Sequence, residues 1–503
     1  MWNELINGIW IVLSIKHLIY MTFGVAAGIA VGATPGLTSS MGVALLIPIT
    51  FSMPATTGLI LLGSMYVGSV YGGSISAILI GIPGTPASIA TSFDGHVMVK
   101  NGEADMALRT SISASTVGGI IGALCLIFIA PPLAKIALSF GPDEYFWVAV
   151  FGLTIIISIA SKNPIKGFIS AALGFFVGTI GMDPVIGNTR FTFGSTELIG
   201  GIDVVVLLIG LFSIPQALSM VETGDIKASY SIEKRNKMAT FVDVWKDIKE
   251  HSWVTYLRSS ILGTIIGIIP GAGGSIASYL GYNEAKRWSK RPELFGTGIA
   301  EGVAASEAAN NAVIGGAMVP LLTLGVPGNN VSAILIGGLM IQGLRPGPML
   351  FVQNPDVVYS FMFSLLFANF VMLFLGYYGA NFFVNIVKIP NNILAPSIIT
   401  LSMIGSYAIR NSFFDVGLMI FFGFLGYLMK KVNISFAPAV LALILGPIAE
   451  SNIRRAFQIS NGSVSILFSS MLDWILISLS IISIFFALVI FIKDRRQSKI
   501  YVK

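Results

Sequence analysis

Charged residues are scarce in this chain of 503 residues. Asp, Glu, Lys and Arg together make up 11% of the sequence, whereas hydrophobic residues make up 54%. A soluble globule of this length needs more polar side chains than that to cover its surface. The low charge and the mean hydropathy of +0.84 therefore predict a protein that lies in a lipid bilayer.

Side chains that serve enzymes and metal sites are also few. The single cysteine, Cys125, excludes an internal disulfide, and the three histidines are scattered without the paired spacing of a metal site. No GxxxxGK[ST] sequence is present, so the chain has no Walker-type ATPase site of its own. We therefore predict a protein that is not an enzyme, carries no cofactor and takes its energy from an ion gradient or a partner. The formal charge of +6 is explained by the loops and implies no nucleic acid.

Apolar segments recur along almost the whole chain. A helix of about 20 residues crosses the hydrocarbon core of a bilayer, and segments of this kind lie, for example, at 144–160, 165–182, 198–219, 357–386, 393–409, 412–429 and 467–492. The first residues lack the basic region of a signal peptide, so we expect the N-terminus to be retained. Residues 5–34 are interpreted as an interfacial helix followed by a membrane segment. The predicted fold class is an all-α polytopic membrane protein.

Two motifs occur twice, in the same order. GIAVGATPG at 28–36 aligns with GTIIGIIPG at 263–271, and GIPGTPAS at 81–88 aligns with GVPGNNVS at 325–332. Spaced Pro-Gly signatures of this kind indicate a tandem duplication. We predict a first transmembrane repeat at 1–220, a cytoplasmic connecting segment at 221–251, a second repeat at 252–465, and a C-terminal span with a basic cytoplasmic tail at 466–503.

The distribution of Lys and Arg predicts opposite orientations for the two repeats. Cytoplasmic loops carry the excess of basic residues, which places the segment 222–258 and the C-terminus inside. On this threading the loop at 161–166 lies inside and its counterpart near Arg410 lies outside, while the basic residues expected outside include Lys135, Arg190, Arg454 and Arg455. The repeats are therefore predicted to have inverted topology, which is typical of secondary transporters with broken helices.

The Pro-Gly pairs predict four breaks in the helices. Proline removes a backbone hydrogen bond, and the freed amides and carbonyls then need partners. The N-terminus of a half-helix attracts a carboxylate, and unwound carbonyls with hydroxyl or amide oxygens suit Na⁺. The candidate residues in the first repeat are Thr34, Pro35, Gly36, Thr38, Ser39, Ser40, Pro83, Gly84, Thr85 and Ser88. Those in the second are Pro270, Gly271, Gly273, Gly274, Ser275, Pro327, Gly328, Asn329, Asn330 and Ser332. The alternative is a set of simple proline kinks in which Ser and Thr bond back to carbonyls.

Few acidic residues fall within apolar sequence, and these are candidates for ion coupling. Glu307, Asn310 and Asn311 are spaced i, i+3, i+4, which places them on one helical face. A carboxylate inside a span is costly and is a candidate for a proton or cation site, although a structural carboxylate is the alternative. Glu301 is interpreted as structural, and Asp94 is expected to start a cytoplasmic loop.

Four long stretches resemble the large membrane subunit of the tripartite tricarboxylate transporters. They are GATPGLTSSMGVALLIPITF at 32–51, YGGSISAILIGIPGTPASIATSFDG at 71–95, GIIPGAGGSIASYLGYNEAKR at 267–287 and EGVAASEAANNAVIGGAMVPLLTLGVPG at 301–328. The resemblance implies a bacterial inner-membrane permease that works with a small membrane subunit and a periplasmic solute-binding protein. Uptake of an organic carboxylate would be driven by Na⁺ or H⁺. The chain departs from the family pattern at Ser76 and Ser306, where proline is usual, and at Asn329, where a small Ser is usual.

We therefore predict a permease that imports a di- or tricarboxylate by cation symport. Broken segments after Pro35 and Pro270 are expected to form re-entrant hairpins, and those after Pro83 and Pro327 unwound helices. Two other classes stay open at this point. One is a stand-alone carboxylate carrier or antiporter that needs no binding protein, and the other is a pore or scaffold subunit.

Overall fold

A computed structural model describes residues 2–159, 163–183, 186–223, 253–386 and 389–501. The helices in the first part of the chain are α1 (Trp2–Val12), α2 (Ile15–Ala33), α3 (Ser39–Thr50), α4 (Ala55–Ile80), α5 (Ile89–Lys100), α6 (Ala104–Ala137), α7 (Pro142–Ile159), α8 (Pro164–Gly178) and α9 (Val204–Thr223). Those in the second part are α10 (Trp253–Ile268), α11 (Gly273–Trp288), α12 (Ala300–Leu324), α13 (Asn330–Ile341), α14 (Met349–Gln353), α15 (Pro355–Ile386), α16 (Asn391–Arg410), α17 (Phe413–Lys431), α18 (Ala437–Ile459) and α19 (Met471–Tyr501).

Other regular structure in the described residues is short. Three 3₁₀ turns lie at Pro86–Ser88, Pro292–Leu294 and Val464–Phe468, and strands β1 (Gly181–Met182) and β2 (Thr189–Arg190) form an antiparallel hairpin. The predicted connecting segment at 221–251 falls, from residue 224 onward, outside the described residues.

Seven of the described helices are long and apolar enough to cross a membrane, namely α2, α4, α6, α9, α15, α16 and α17. Their number confirms the predicted all-α polytopic membrane protein. Three predicted spans differ from the helices at one end. The span 198–219 starts too early, because residues 198–201 form a turn in which Gly201 has a φ of 75°, and α9 begins only at Val204. The span 165–182 ends too late, because α8 ends at Gly178 and a strand follows, and the span 467–492 starts too early, because α19 begins only at Met471. The inverted topology of the repeats stays a prediction.

The chain forms two compact units, and each consists of two separate segments of the sequence. The first unit comprises Met1–Pro132 and Gln216–Gly405, and the second comprises Leu133–Pro215 and Ser406–Lys503. The four Pro-Gly motifs all belong to the first unit. Within it α2 packs against α4, and α10 packs against α12.

Glycines bring the helices of both pairs into backbone contact. A Cβ added to Gly28 would lie 2.4 Å from the carbonyl oxygen of Met65, and one added to Gly263 would lie 2.1 Å from that of Ala309. In the register that aligns the repeated motifs, Gly263 is the counterpart of Gly28, and Ala309 is the counterpart of Met65. Only glycine permits so close an approach. The two helix pairs therefore repeat the same contact, which supports the predicted duplication.

The next turn of each helix pair repeats this contact. A Cβ added to Gly32 would lie 2.1 Å from the carbonyl oxygen of Ser69, and one added to Gly267 would lie 2.7 Å from that of Val313. These residues are again counterparts in the aligned motifs. Two successive matched contacts show that the spacing of the glycines, and not one chance approach, sets how each pair packs.

In the second unit α18 packs against both α7 and α8, and α19 packs against α7. The β hairpin is tied to α18 by ion pairs: Arg190 bonds Glu450 at 2.8 Å, and Arg454 bonds Asp183 at 3.0 Å. The hydrogen bond to Glu450 raises the pKa of the Arg190 guanidinium above its ordinary value. These charges neutralise one another at the end of the unit.

Candidate functional site

The structure interrupts the helices at all four Pro-Gly motifs. The interruptions separate α2 from α3, α4 from the 3₁₀ turn before α5, α10 from α11, and α12 from α13. Two of them begin in the same way, because Gly81 and Gly325 end their helices with φ of 69° and 72°. Glycine adopts this left-handed conformation without strain, which explains why it stands at both helix ends.

The first two breaks contact each other through backbone atoms. A Cβ on Gly84 would lie 2.0 Å from the carbonyl oxygen of Gly32, one turn before the first break. The amide of Gly84 also donates to the carbonyl of Gly73 on α4 at 3.2 Å. The segment after Pro83 is therefore held close to the end of α2.

Contacts continue from the second break to the third and the fourth. A Cβ on Gly274, in the first turn of α11, would lie 3.2 Å from the Cβ of Ala87. The amide of Gly271 donates to the carbonyl of Gly328 at 2.8 Å, which joins the third break to the fourth. All four breaks thus form one continuous set of contacts within the first unit.

Asn329 is committed to structure at the start of α13. Its Oδ1 accepts from the backbone amide of Ser332 at 2.9 Å, and the backbone amide of Asn329 donates to the hydroxyl of Ser332 at 2.8 Å. The two bonds form a reciprocal cap. Its Nδ2 donates to the hydroxyl of Tyr66 on α4 at 2.8 Å. Both polar atoms of the side chain therefore have partners, and Tyr66 fixes the amide in this orientation.

Asn330 differs from its neighbour because it is exposed. In the described part of the chain its side chain makes no hydrogen bond, and neither do the amides of Asn330 and Val331. Those amides belong to the first turn of α13, where a helix offers unpaired N–H groups and the positive end of its dipole. The start of α13 thus has the chemistry to receive a carboxylate.

Hydroxyl groups of the first repeat form hydrogen bonds with one another or with nearby backbone groups. Thr85 and Ser88 share a hydrogen bond of 3.1 Å, Thr34 donates to the carbonyl of Ala30 at 2.9 Å, and Thr38 caps α3 by accepting from the amide of Met41 at 3.2 Å. Thr34 therefore matches the alternative of hydroxyls that bond back to carbonyls, whereas Thr38 serves as a helix cap. The remaining candidates, Ser39, Ser40 and Ser275, are buried or partly buried in the first turns of α3 and α11.

Glu307 is fully buried on α12, and only neutral groups bond its carboxylate. Thr91 donates to Oε1 at 2.5 Å, while Ser115 and Asn311 donate to Oε2 at 3.0 and 3.3 Å. No Lys or Arg of the described residues lies within ion-pair distance. A buried carboxylate without a cationic partner is costly, which makes Glu307 a candidate to hold a proton or a bound cation.

Asn310 and Asn311 have different surroundings, although the helical spacing places both near Glu307. Asn311 bonds the carboxylate, whereas the Oδ1 of Asn310 lies beside the first turn of α11, 2.5 Å from the position of a Cβ on Gly274. The Nδ2 of Asn310 is buried and has no partner within the described residues. Asn310 therefore faces the third break with an unused donor.

Tyr66, Thr91 and Ser115 were not identified from the sequence, although each bonds a candidate residue. Thr91 and Ser115 lie 216 and 192 positions before Glu307, and Tyr66 lies 263 positions before Asn329. The only sequence signal is local: Ser115 belongs to the hydroxyl-rich run TSISAST at 110–116. Polar residues at this density inside a span are unusual and mark a face that does not contact lipid.

The expectation for Asp94 is wrong, because this residue lies buried within α5 and does not start a loop. Its Oδ1 accepts from the amides of Gly296 and Gly298, both at 2.8 Å, and from Ile299 at 3.1 Å. Its Oδ2 accepts from the hydroxyl of Tyr282. The carboxylate thus replaces the backbone partners that the segment before α12 lacks. Glu301 is held in a similar way by hydroxyls of Thr255 and Ser289, as the structural interpretation expects.

Comparisons with known proteins agree with the resemblance read from the sequence. The profile of the "Tripartite tricarboxylate transporter TctA family" matches residues 18–441. An Agrobacterium vitis protein described as "Uncharacterized 52.8 kDa protein in TAR-I ttuC' 3'region" is 34% identical over 489 residues, covering 97% of this chain and 96% of its own. A second from that organism, "Uncharacterized protein in TAR-II ttuC' 3'region", is 35% identical over 235 residues, which is 47% of this chain and 97% of its own. No solved structure matches.

The family profile covers all four breaks as well as Glu307 and its partners. The match to a transporter family over most of the chain indicates a transporter. The chain belongs to the TctA family of tripartite tricarboxylate transporters.

Proposed function

We propose that this chain is the permease of a three-part importer that moves an organic di- or tricarboxylate across the bacterial inner membrane. A periplasmic solute-binding protein delivers the substrate, a small membrane subunit completes the complex, and a Na⁺ or H⁺ gradient drives uptake. The C-terminus lies in the cytoplasm, in keeping with its basic residues. The observation that carries this proposal is the joining of four helix breaks next to one buried, unneutralised carboxylate.

The substrate binds at the start of α13, between the third and fourth breaks. Unpaired amides at Asn330 and Val331, the positive end of the helix and the exposed side chain of Asn330 together favour a carboxylate group. The unused Nδ2 of Asn310, on α12 beside the first turn of α11, and the amide of Gly274 in that turn offer further donors. Neutral donors are enough for this task, because helix ends stabilise anions without a fixed positive charge.

Glu307 couples transport to the ion gradient. Its carboxylate and the hydroxyl oxygens of Thr91, Ser115 and Ser306 form one buried polar group, since Thr91 also bonds Ser306 at 3.1 Å. A proton on Glu307, or a Na⁺ held by these oxygens, cancels the buried charge. The hydroxyls of Thr85 and Ser88 at the second break are a second place where a Na⁺ finds oxygen ligands.

Reconstitution tests the proposal. The purified chain is placed in vesicles with its small subunit, and uptake of labelled carboxylates is measured with and without the binding protein under an imposed Na⁺ or pH gradient. We expect saturable uptake that requires the binding protein and collapses with the gradient. Equal uptake by this chain alone would favour a stand-alone carrier. Flux that neither saturates nor depends on a gradient would favour a pore and overturn the proposal.

A further inference from the structure

The second unit contains three carboxylates whose closeness the transport site does not explain. Asp143 and Glu144 lie in the first turn of α7, and Asp473 lies in the first turn of α19. Each offers an oxygen that lies within 4.8 Å of the others. Asp473 is fully buried and Asp143 is 7% exposed. No Lys, Arg or His of the described residues forms an ion pair with any of them, so three like charges repel one another at short range.

Helix capping explains only part of this arrangement. Asp473 accepts from the amide of Ser470 through Oδ2, and Ser470 accepts from the amide of Asp473, which is a reciprocal cap. Glu144 accepts from the amide of Gly141 at 2.7 Å. The Oδ1 of Asp473 has no hydrogen-bond partner in the described residues although it is fully buried. A buried carboxylate oxygen left in this state, beside two further carboxylates, points to a ligand that the protein atoms do not supply.

We propose that Asp143, Glu144 and Asp473 bind a Ca²⁺ ion that joins the start of α7 to the start of α19. The ligands are hard oxygens without any nitrogen or sulfur, which favours Ca²⁺ over Zn²⁺. The hydroxyl of Ser469, which bonds Asp143 at 3.2 Å, adds a further oxygen nearby. A divalent ion leaves one negative charge of the three, and the positive ends of two helices offset it.

Aromatic residues place this site at the edge of the membrane. The indole of Trp147 donates to the carbonyl of Leu467 at 2.8 Å, and that of Trp474 donates to the carbonyl of Phe468 at 3.2 Å. Tryptophan with one polar contact is typical of the membrane–water interface. The charge pattern that puts Lys135 outside also puts this end of α7 outside, where an ion reaches the site without crossing the membrane.

Terbium luminescence and thermal unfolding test the proposal on the purified chain. Tb³⁺ replaces Ca²⁺ at oxygen sites and is excited through nearby tryptophan, so Trp474 and Trp147 act as built-in sensitizers. We expect Tb³⁺ emission that Ca²⁺ displaces, and a higher unfolding temperature in CaCl₂ than in NaCl of equal ionic strength. Asp473→Asn is expected to weaken Ca²⁺ binding at least tenfold, because it removes a charged ligand.

Two further variants keep the test decisive. Glu144→Gln changes a partly exposed ligand, so it is expected to fold even if Asp473→Asn does not, and to weaken Ca²⁺ binding as well. Asp203→Asn is the matched control, because Asp203 caps α9 in the same unit and lies outside the cluster. No displaceable emission in the wild type, or an equal response to Ca²⁺ in Glu144→Gln and wild type, overturns the proposal. A thermal response that NaCl reproduces does so too.

Discussion

Two substitutions of Asn329, at the start of α13, distinguish a structural role of this residue from a role in substrate binding. Replacing it with Ala removes the cap on Ser332 and leaves the buried hydroxyl of Tyr66 without its partner. Loss of an N-cap costs about 1 kcal/mol, and an unsatisfied buried group costs about 1–3 kcal/mol. Asn329→Ala is therefore expected to lower the free energy of unfolding by about 2–4 kcal/mol, and uptake will fall with it.

Asn329→Asp is expected to retain the fold but to repel the carboxylate of the substrate. A carboxylate still accepts from the amide of Ser332, Tyr66 donates to its other oxygen, and the helix dipole stabilises the charge. Two negative charges about 5 Å apart at an effective dielectric constant of about 20 repel by about 3 kcal/mol, which is over a hundredfold in affinity. We expect near-normal thermal unfolding with a Michaelis constant for uptake raised by that order.

The assay combines thermal unfolding in detergent with initial uptake rates in vesicles over a range of substrate concentrations. Asn330→Ala is the matched control for the fold, since this side chain is exposed and is expected to change uptake alone. Wild-type uptake by Asn329→Asp, in a protein that folds normally, would refute the placement of the substrate carboxylate at this helix end.

Three other substitutions, together with one control outside the site, test the remaining inferences. Glu307→Gln mimics the protonated carboxylate, so we expect substrate exchange to persist while accumulation against a gradient is lost; retained accumulation would exclude this residue from coupling. Gly84→Ala places a methyl group 2.0 Å from the carbonyl oxygen of Gly32, so it is expected to lower the free energy of unfolding by about 3 kcal/mol or more. Gly417→Ala is the control, because a Cβ there meets nothing within 4 Å, and it should raise the free energy of unfolding by about 0.5–1 kcal/mol. Asp94→Asn weakens the acceptor of three amides and is expected to cost about 2 kcal/mol and to expose residues 289–299 to limited proteolysis.

The helix breaks were predictable from sequence because their cause is local. Proline lacks the amide that continues a helix, and glycine at the preceding helix end adopts a left-handed conformation that other residues resist. The motifs at Pro83 and Pro327 therefore locate the ends of α4 and α12 correctly. The repeated spacing of glycines is also visible in the sequence, although its cause is the close approach of two separate helix backbones.

The polar contacts were not predictable, because they join residues far apart in the chain. Nothing near Thr91 or Ser115 in the sequence indicates that their hydroxyls meet Glu307, and a tyrosine such as Tyr66 in an apolar helix normally indicates only a large core side chain. The prediction for Asp94 was wrong for a related reason. The local sequence SFDGH is typical of a loop, but backbone amides some 200 residues later donate hydrogen bonds that stabilise a buried carboxylate there.

The two repeats share the same helix breaks and glycine contacts, but they differ in their buried charged residues. This difference restricts which residues can couple transport to the ion gradient. In the aligned register Gly63 is the counterpart of Glu307, and a Cβ on Gly63 would lie 2.8 Å from the ring of Phe361. No acidic side chain fits at that place in the first repeat, so the polar group around Glu307 has no symmetric partner. Thr85 is likewise the counterpart of Asn329 in the aligned motifs. It offers a hydroxyl group where the second repeat has a helix cap. If Glu307 couples transport, no symmetric carboxylate replaces it, so Glu307→Gln should abolish accumulation against the gradient.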